Sequence, residues 1–151
     1  MNPVLSQNVT FIEGITQSSA IPARMELFDD RLFITTINEE TGDPIETVLD
    51  APLSDVKVSG NAAILVFKVG ELKRRVDFSF AARAVMAAPG GVFAASSLIK
   101  ESGVYTWLDE FRSRKVSVKY FSMANTWAVA LVAVAIIVVI VAVIGVNRMG
   151  S

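Results

Sequence analysis

The chain has 151 residues and a formal net charge of −1, and 52% of it is hydrophobic against 19% charged, more apolar than a typical soluble domain. With one apolar run near the C-terminus set aside, the length suits a single compact domain and is short for two. There is no Cys and no His, which excludes disulfides, thiolate nucleophiles and thiolate metal sites and removes the commonest general base and transition-metal ligand.

Met1 to Gly14 has neither the basic start nor the apolar run of a signal peptide, so the domain that follows is expected to stay in the cytoplasm. Residues 1–19 read as an N-terminal segment with a possible first strand. From Val9 to Phe80, short runs rich in Val, Ile, Phe and Thr alternate with polar residues, the pattern of half-buried strands. The runs are Val9 to Ile15, Ala23 to Phe28, Arg31 to Ile37, Ile45 to Leu49, Asp55 to Val58, Ala62 to Val69 and Leu72 to Phe80. Asp29-Asp30 and Gly70-Glu71 suit tight hairpins, and Asn38 to Pro44 suits a longer turn, so consecutive strands are expected to be antiparallel.

After Phe80 the composition turns to Ala at helical spacing, breaks at Pro89-Gly90-Gly91 and resumes. "PGGVFAASS" has neither dinucleotide nor phosphate-loop spacing and reads as a helix break; the alternative is a loop whose Val92 and Phe93 dip into a membrane surface. From Gly103 to Lys115, Val104, Trp107, Leu108 and Phe111 fall at i, i+3, i+4 and i+7, one apolar stripe of a helix that Ser102 would cap. Asp109 and Glu110 are expected to face water, and Arg112, Arg114 and Lys115 lie where the helix dipole favours cations.

The strand pairs "MELFDDRLFITT" and "AAILVFKVGELKRRVDFSF", followed by "GVYTWLDEFRSR", resemble the pleckstrin-homology-like superfamily, which includes the GRAM domains. The resemblance covers roughly residues 20 to 115. It implies a mainly β fold, an antiparallel barrel capped by a C-terminal amphipathic helix with Trp107 buried. The Ala-rich insert, Ala81 to Ser97, departs from that pattern. Fold resemblance does not by itself assign function.

Residues 116–126 read as a juxtamembrane linker and 127–146 as one transmembrane helix. Trp127 to Val146 holds no charge, and its twenty residues include eight Val, four Ile and one Leu. Such a helix spans about 30 Å, the thickness of a hydrocarbon core. Arg112, Arg114, Lys115 and Lys119 precede the span and only Arg148 follows it, which places the N-terminal domain in the cytoplasm and residues 147–151 outside. Those four cations are expected to set topology and rest on headgroups, with Tyr120 and Trp127 as interfacial aromatics. An anchor this close to the C-terminus is a tail anchor. From Lys115 to Trp127 the linker would reach about 40 Å when extended.

Resemblance to the superfamily would imply phosphoinositide binding by basic residues around the first hairpin loop. Here Asp29 and Asp30 stand in that place, and Glu39, Glu40 and Asp43 in the next turn give an expected rim of five acids, which repels phosphate. Residues 1–56 hold ten acids and two bases, net −8, whereas residues 57–119 hold five acids and eleven bases, net +6. The compact basic cluster is Lys73, Arg74 and Arg75, read either as a solvated strand end or as a face for anionic lipid or an acidic partner. Neither metal nor cofactor is expected, and a net charge of −1 with no groove-reading motif disfavours nucleic acid.

Three functions remain. The first is a membrane-anchored, non-catalytic interaction or scaffold protein that docks on a membrane protein complex from the cytoplasmic side. The second is a lipid-binding or membrane-surface sensing module. The third is an enzyme built on carboxylates such as Asp50, Asp55 and Asp77. Small size, frequent Ala and Val, and the lack of Cys and His fit a bacterial or phage source.

Overall fold

The computed structural model describes residues 2–14, 19–86, 91–121 and 136. Among them, the strands β1 (Leu5–Ile12), β2 (Ala20–Leu27), β3 (Arg31–Ile37), β4 (Pro44–Pro52), β5 (Val56–Asn61), β6 (Ile64–Val69), β7 (Leu72–Asp77) and β8 (Ser117–Phe121) form one sheet. Its order is β4-β3-β2-β1-β7-β6-β5-β8. Three helices, α1 (Phe80–Met86), α2 (Gly91–Glu101) and α3 (Val104–Ser113), lie between β7 and β8 in the chain.

Every second side chain of a strand shares a face, and the register puts the apolar ones together. Val9 stands opposite Ala23, Met25 opposite Ile34, and Leu27 opposite Leu32, all buried. On the other half of the sheet Val58 pairs with Phe67 and Leu65 with Val76, again all buried, and Val76 pairs with Phe11 to continue the inner face across β1. Onto this inner face α3 lays its stripe. Val104, Trp107, Leu108 and Phe111 are buried, and the Phe111 ring meets Phe67 edge-on at 5.8 Å. Burying each such side chain contributes roughly 1.5–3 kcal/mol.

A single polar bracket fixes α3 to β1. The Trp107 indole is 2% exposed and donates its Nε1–H to Gln7 Oε1 at 2.9 Å. Gln7 Nε2 in turn donates to the Ser102 carbonyl at 2.6 Å, so one amide from β1 satisfies both the indole and the chain entering α3. Gly103 allows this approach. Its φ is +81°, and a Cβ there would lie 2.8 Å from Gln7 Oε1.

Helix α3 ends in a Schellman arrangement: Val116 N–H donates to the Phe111 carbonyl at 3.0 Å and Lys115 N–H to the Arg112 carbonyl at 3.0 Å. The arrangement needs a left-handed residue, and Lys115 supplies it at φ +62°. Buried Val116 then turns the chain into β8.

Several expectations are corrected. The sheet is open, with β4 and β8 as its edges, so it is not a closed barrel. It does fold back on itself: Arg74 of β7 reaches the Val48 carbonyl of β4 at 2.8 Å. Bulges in the β3–β4 pairing, between Ile34 and Thr35 and between Thr36 and Ile37, bend the β4 edge, which hinders pairing with another chain. Ala62 and Ala63 form the β5–β6 turn rather than the start of a strand, with Ala62 at φ +49°. The N-cap of α3 is Gly103 and not Ser102, whose hydroxyl donates to the Ile99 carbonyl and accepts a 3.4 Å bond from Val104 N–H. Ser79 is the side-chain cap found instead at α1, accepting from Ala82 N–H at 3.1 Å. Ser117 to Phe121, expected within a linker, is strand β8.

The five-acid rim does not exist as one surface. Asp29 and Asp30 lie in the β2–β3 turn and Glu39, Glu40 and Asp43 in the β3–β4 turn, at opposite ends of β3. Seven residues of strand separate the two turns by about 20 Å or more. The expected span, Trp127 to Val146, lies outside the described residues except for Ile136, which is helical. Among the described residues no helix is long and apolar enough to cross a membrane.

Replacing Gln7 by Ala leaves the buried indole N–H without its acceptor. The expected cost is about 2 kcal/mol, seen as a Tm lower by roughly 5–15 °C in thermal unfolding of the full chain.

Candidate functional site

The run Lys73, Arg74, Arg75 occupies β7, and strand alternation divides it. Arg74 pairs in register with Phe67 and so points to the inner side of the sheet. There it lies 6.0 Å from the Phe11 ring centroid and donates Nε–H to the Val48 carbonyl. It is a brace between β7 and β4, not part of an open basic surface. Lys73 and Arg75 point the other way.

On that outer side the register assembles a group that spacing along the chain conceals. Lys57 pairs with Lys68 across β5 and β6, and Lys68 pairs with Lys73 across β6 and β7. The three exposed lysines form one row over adjacent strands. Arg75, opposite Val66, continues the face, and Ser59 lies opposite Val66 on the other side. On β8 the Tyr120 ring packs against Tyr105 of α3 at 5.9 Å, which turns its neighbour Lys119 to the outer face as well. A hollow of about 360 Å³ lined by Ile12, Gly14, Val66, Lys73, Arg74 and Arg75 opens where this face meets the end of β1.

Like charges directly opposite one another on a sheet are destabilising. No internal ion pair relieves them here: among the described residues none of Lys57, Lys68, Lys73, Arg75 or Lys119 is in a salt bridge. The cations of α3 are placed differently. Arg112 Nη1 lies 2.9 Å from Asp109 Oδ1. Arg114 is 21% exposed, pairs with Glu110 at 2.7 Å and approaches Asp29 at 3.9 Å, so it fastens α3 to the β2–β3 turn. Lys115 is exposed at the helix end. Of the four cations expected at headgroups, Lys119 shares the outer face with the lysine row, whereas Arg112 and Arg114 are engaged by acids.

Tyr120, expected at the bilayer interface, is used inside the domain. Its hydroxyl donates to the Ala62 carbonyl, tying β8 to the β5–β6 turn. Burial raises its pKa above the ordinary tyrosine value, with the charge of Tyr105 and a hydrogen bond to it adding to the shift. Trp127 lies outside the described residues.

The three carboxylates considered for catalysis belong to separate local structures. Asp50 on β4 holds Arg31 at 2.6 Å, and this hydrogen bond, with the carboxylate charge, raises the arginine pKa. Asp55 accepts from the Ser54 hydroxyl in the turn before β5. Asp77 Oδ1 accepts Ser79 N–H at the entry to α1. Among the described residues no three acids are grouped so as to hold a metal ion.

No protein-family model matches the chain. No curated protein matches it in sequence either. Solved structures similar to it include one from a systematic screen for protein–lipid interactions in Saccharomyces cerevisiae, 13% identical, covering 57% of this chain and 87% of that one at a TM-score of 0.39. Another is the Slm1 PH domain in complex with D-myo-inositol-4-phosphate, 10% identical, covering 69% of this chain and 95% of its own at 0.38. The DH/PH domain of human ARHGEF11, in a ternary complex with human RhoA, is 10% identical and covers 67% of this chain and 28% of its own at 0.38. At these TM-scores the likeness is one of outline and carries neither fold nor function across.

Two measurements test this placement of side chains. Replacing Lys68, the middle of the row, by Gln should stabilise the full chain by about 0.5 kcal/mol at low salt, and the gain should shrink as salt screens the row. Tyr120 binds its proton more tightly folded than unfolded, so its contribution is complete below the ordinary tyrosine pKa of 10.0 and is lost as pH rises towards the folded value. Wild-type Tm should therefore fall more steeply above about pH 10 than that of Tyr120→Phe.

Proposed function

We propose that the chain is a non-catalytic docking module, tethered by residues 127–146 to the cytoplasmic face of a membrane, where it binds a membrane protein complex. The observation that carries this reading is the position of β8. The domain does not end at Lys115 but returns through β8 to Phe121, so only residues 122–126 separate the sheet from the apolar run. Extended, that connection reaches about 20 Å, half the distance allowed by the longer linker. A module held so closely meets only what lies at the membrane surface. Asp50, Asp55, Asp77, Arg74 and Arg114 serve in caps, braces and pairs, and the exposed face of β5, β6 and β7 is charged, which suits binding rather than chemistry.

A second reading, a lipid-binding module, is favoured by the row of lysines that have no ion pair among the described residues.

The full-length protein at its natural abundance should stay with the membrane through an alkaline carbonate wash and, after extraction in mild detergent, bring down a reproducible set of membrane proteins. Release by carbonate would remove the tether. Purification alone at natural abundance would remove the docking role.

A further inference from the structure

Resting on the tether just described, we propose that the outer face of β5, β6, β7 and β8 lies flat on an anionic lipid surface, through Lys57, Lys68, Lys73, Arg75 and Lys119. This goes beyond a general attraction of basic residues to membranes, since it assigns one face of the domain and excludes others. Sheet geometry brings the five cations within three strand spacings, about 15 Å from β8 to β7. That is wide enough to meet several headgroups at once. The face is not covered by α3, which lies on the opposite side of the sheet against Phe67.

Three observations point to lipid as the occupant. The lysine row combines like charges in register with no acid among the described residues paired to them, so a partner bearing negative charge relieves a repulsion that the domain leaves in place. The hollow beside the row brings the outward-facing Lys73 and Arg75 together with apolar Ile12 and Val66. A headgroup phosphate and the first carbons of its lipid match that mixture. Lastly, Lys119 stands two residues before Phe121, where β8 ends, so along the chain this cation of the face is the one nearest the apolar run. An acidic protein surface would satisfy the charge argument alone.

The absence of Cys permits a clean test on the full chain. Ser59→Cys, exposed on β5 within the face, carries an environment-sensitive dye, and Glu40→Cys in the β3–β4 turn serves as the second position. Each protein is reconstituted in vesicles of phosphatidylcholine alone or mixed with phosphatidylglycerol. The dye at 59 should shift to the blue on the anionic vesicles, lose the shift near 1 M salt, where screening acts within about 3 Å, and show none on the neutral ones. The dye at 40 should not respond to lipid charge. Lys57→Gln, Lys68→Gln and Lys73→Gln should each lower the ratio of docked to undocked domain about fivefold. Lys100→Gln on α2 makes the same change in net charge and should leave the ratio unchanged.

An equal shift on neutral vesicles, or an equal loss from Lys100→Gln and Lys68→Gln, overturns the proposal. So does a dye at 59 that ignores lipid and is shielded only by a protein in the native membrane. Retention after an alkaline wash of the same vesicles is read separately. If the chain is released, the tether fails, and the charge-dependent shift of the free chain on anionic vesicles still decides the face.

Discussion

The arrangement depends on one buried indole and its acceptor. Trp107 is too large to leave the core and its N–H too polar to be buried alone, so the helix that carries it must lie where an acceptor waits. Gln7 of β1 is that acceptor, and it also holds the carbonyl of Ser102 at the entry to α3. This fixes which side of the sheet is the inside. Once α3 occupies that side, Val58, Leu65, Phe67 and Val76 must face it, and strand alternation sends Lys57, Lys68, Lys73 and Arg75 outward. The same helix then sets the exit: its left-handed Lys115 reverses the chain, and Tyr120 ties the returning strand to the Ala62 turn.

Much of this was legible in the sequence because period and stripe are local properties. The i, i+3, i+4, i+7 stripe from Val104 to Phe111 needed no knowledge of the sheet, and all four residues are buried as read. Arg31 to Ile37 is bounded by turn residues on both sides, and its strand has those limits. What could not be read was pairing. Lys57, Lys68 and Lys73 are separated by eleven and five positions, and only the register of β5, β6 and β7 makes them neighbours. Lys73 to Arg75 showed the reverse error, a continuous run that a strand splits between two faces. The supposed acidic rim failed for the related reason that consecutive hairpin turns fall at opposite ends of the strand they share. Strand β8 was missed although Ser-Val-Lys-Tyr-Phe alternates, because its position between a basic helix end and an apolar run suggested a linker.

Charge is arranged by use as well as by sign. In the acidic half, Arg31 is spent on Asp50, and Arg24 reaches the Gly42 carbonyl at 3.4 Å. From the basic half, Arg114 is spent on Glu110 and approaches Asp29, and Arg74 on the Val48 carbonyl. In each case an arginine is chosen where a planar donor must reach one or more fixed oxygens. The outer face is mainly lysine, a compact and strongly hydrated charge on a flexible stem that holds no single geometry. Such a row is poorly suited to building a fold and well suited to a diffuse anionic surface. With Arg75 as the exception, the division between arginine and lysine thus separates the charges that assemble the domain from those left over once it is assembled.

The proposed tether changes how strong that remaining surface needs to be. A soluble domain must overcome the lost freedom of association before a row of lysines can hold it to a bilayer. Under that proposal a domain joined to an anchor by five residues would already have given up most of that freedom, and its surface would act at an effective concentration in about the millimolar range. Interactions of about 1 kcal/mol per lysine are then enough to favour one orientation without locking it. The face need not form a deep or exclusive site, and a shallow hollow beside an exposed row is what such a requirement would produce. Tight binding would in fact be a disadvantage for a docking module, since a domain pressed permanently to lipid could not tilt to meet a partner. A weak face on a short tether lets salt, lipid composition or a competing acidic surface shift the population between flat and raised orientations, and the fold itself need not change.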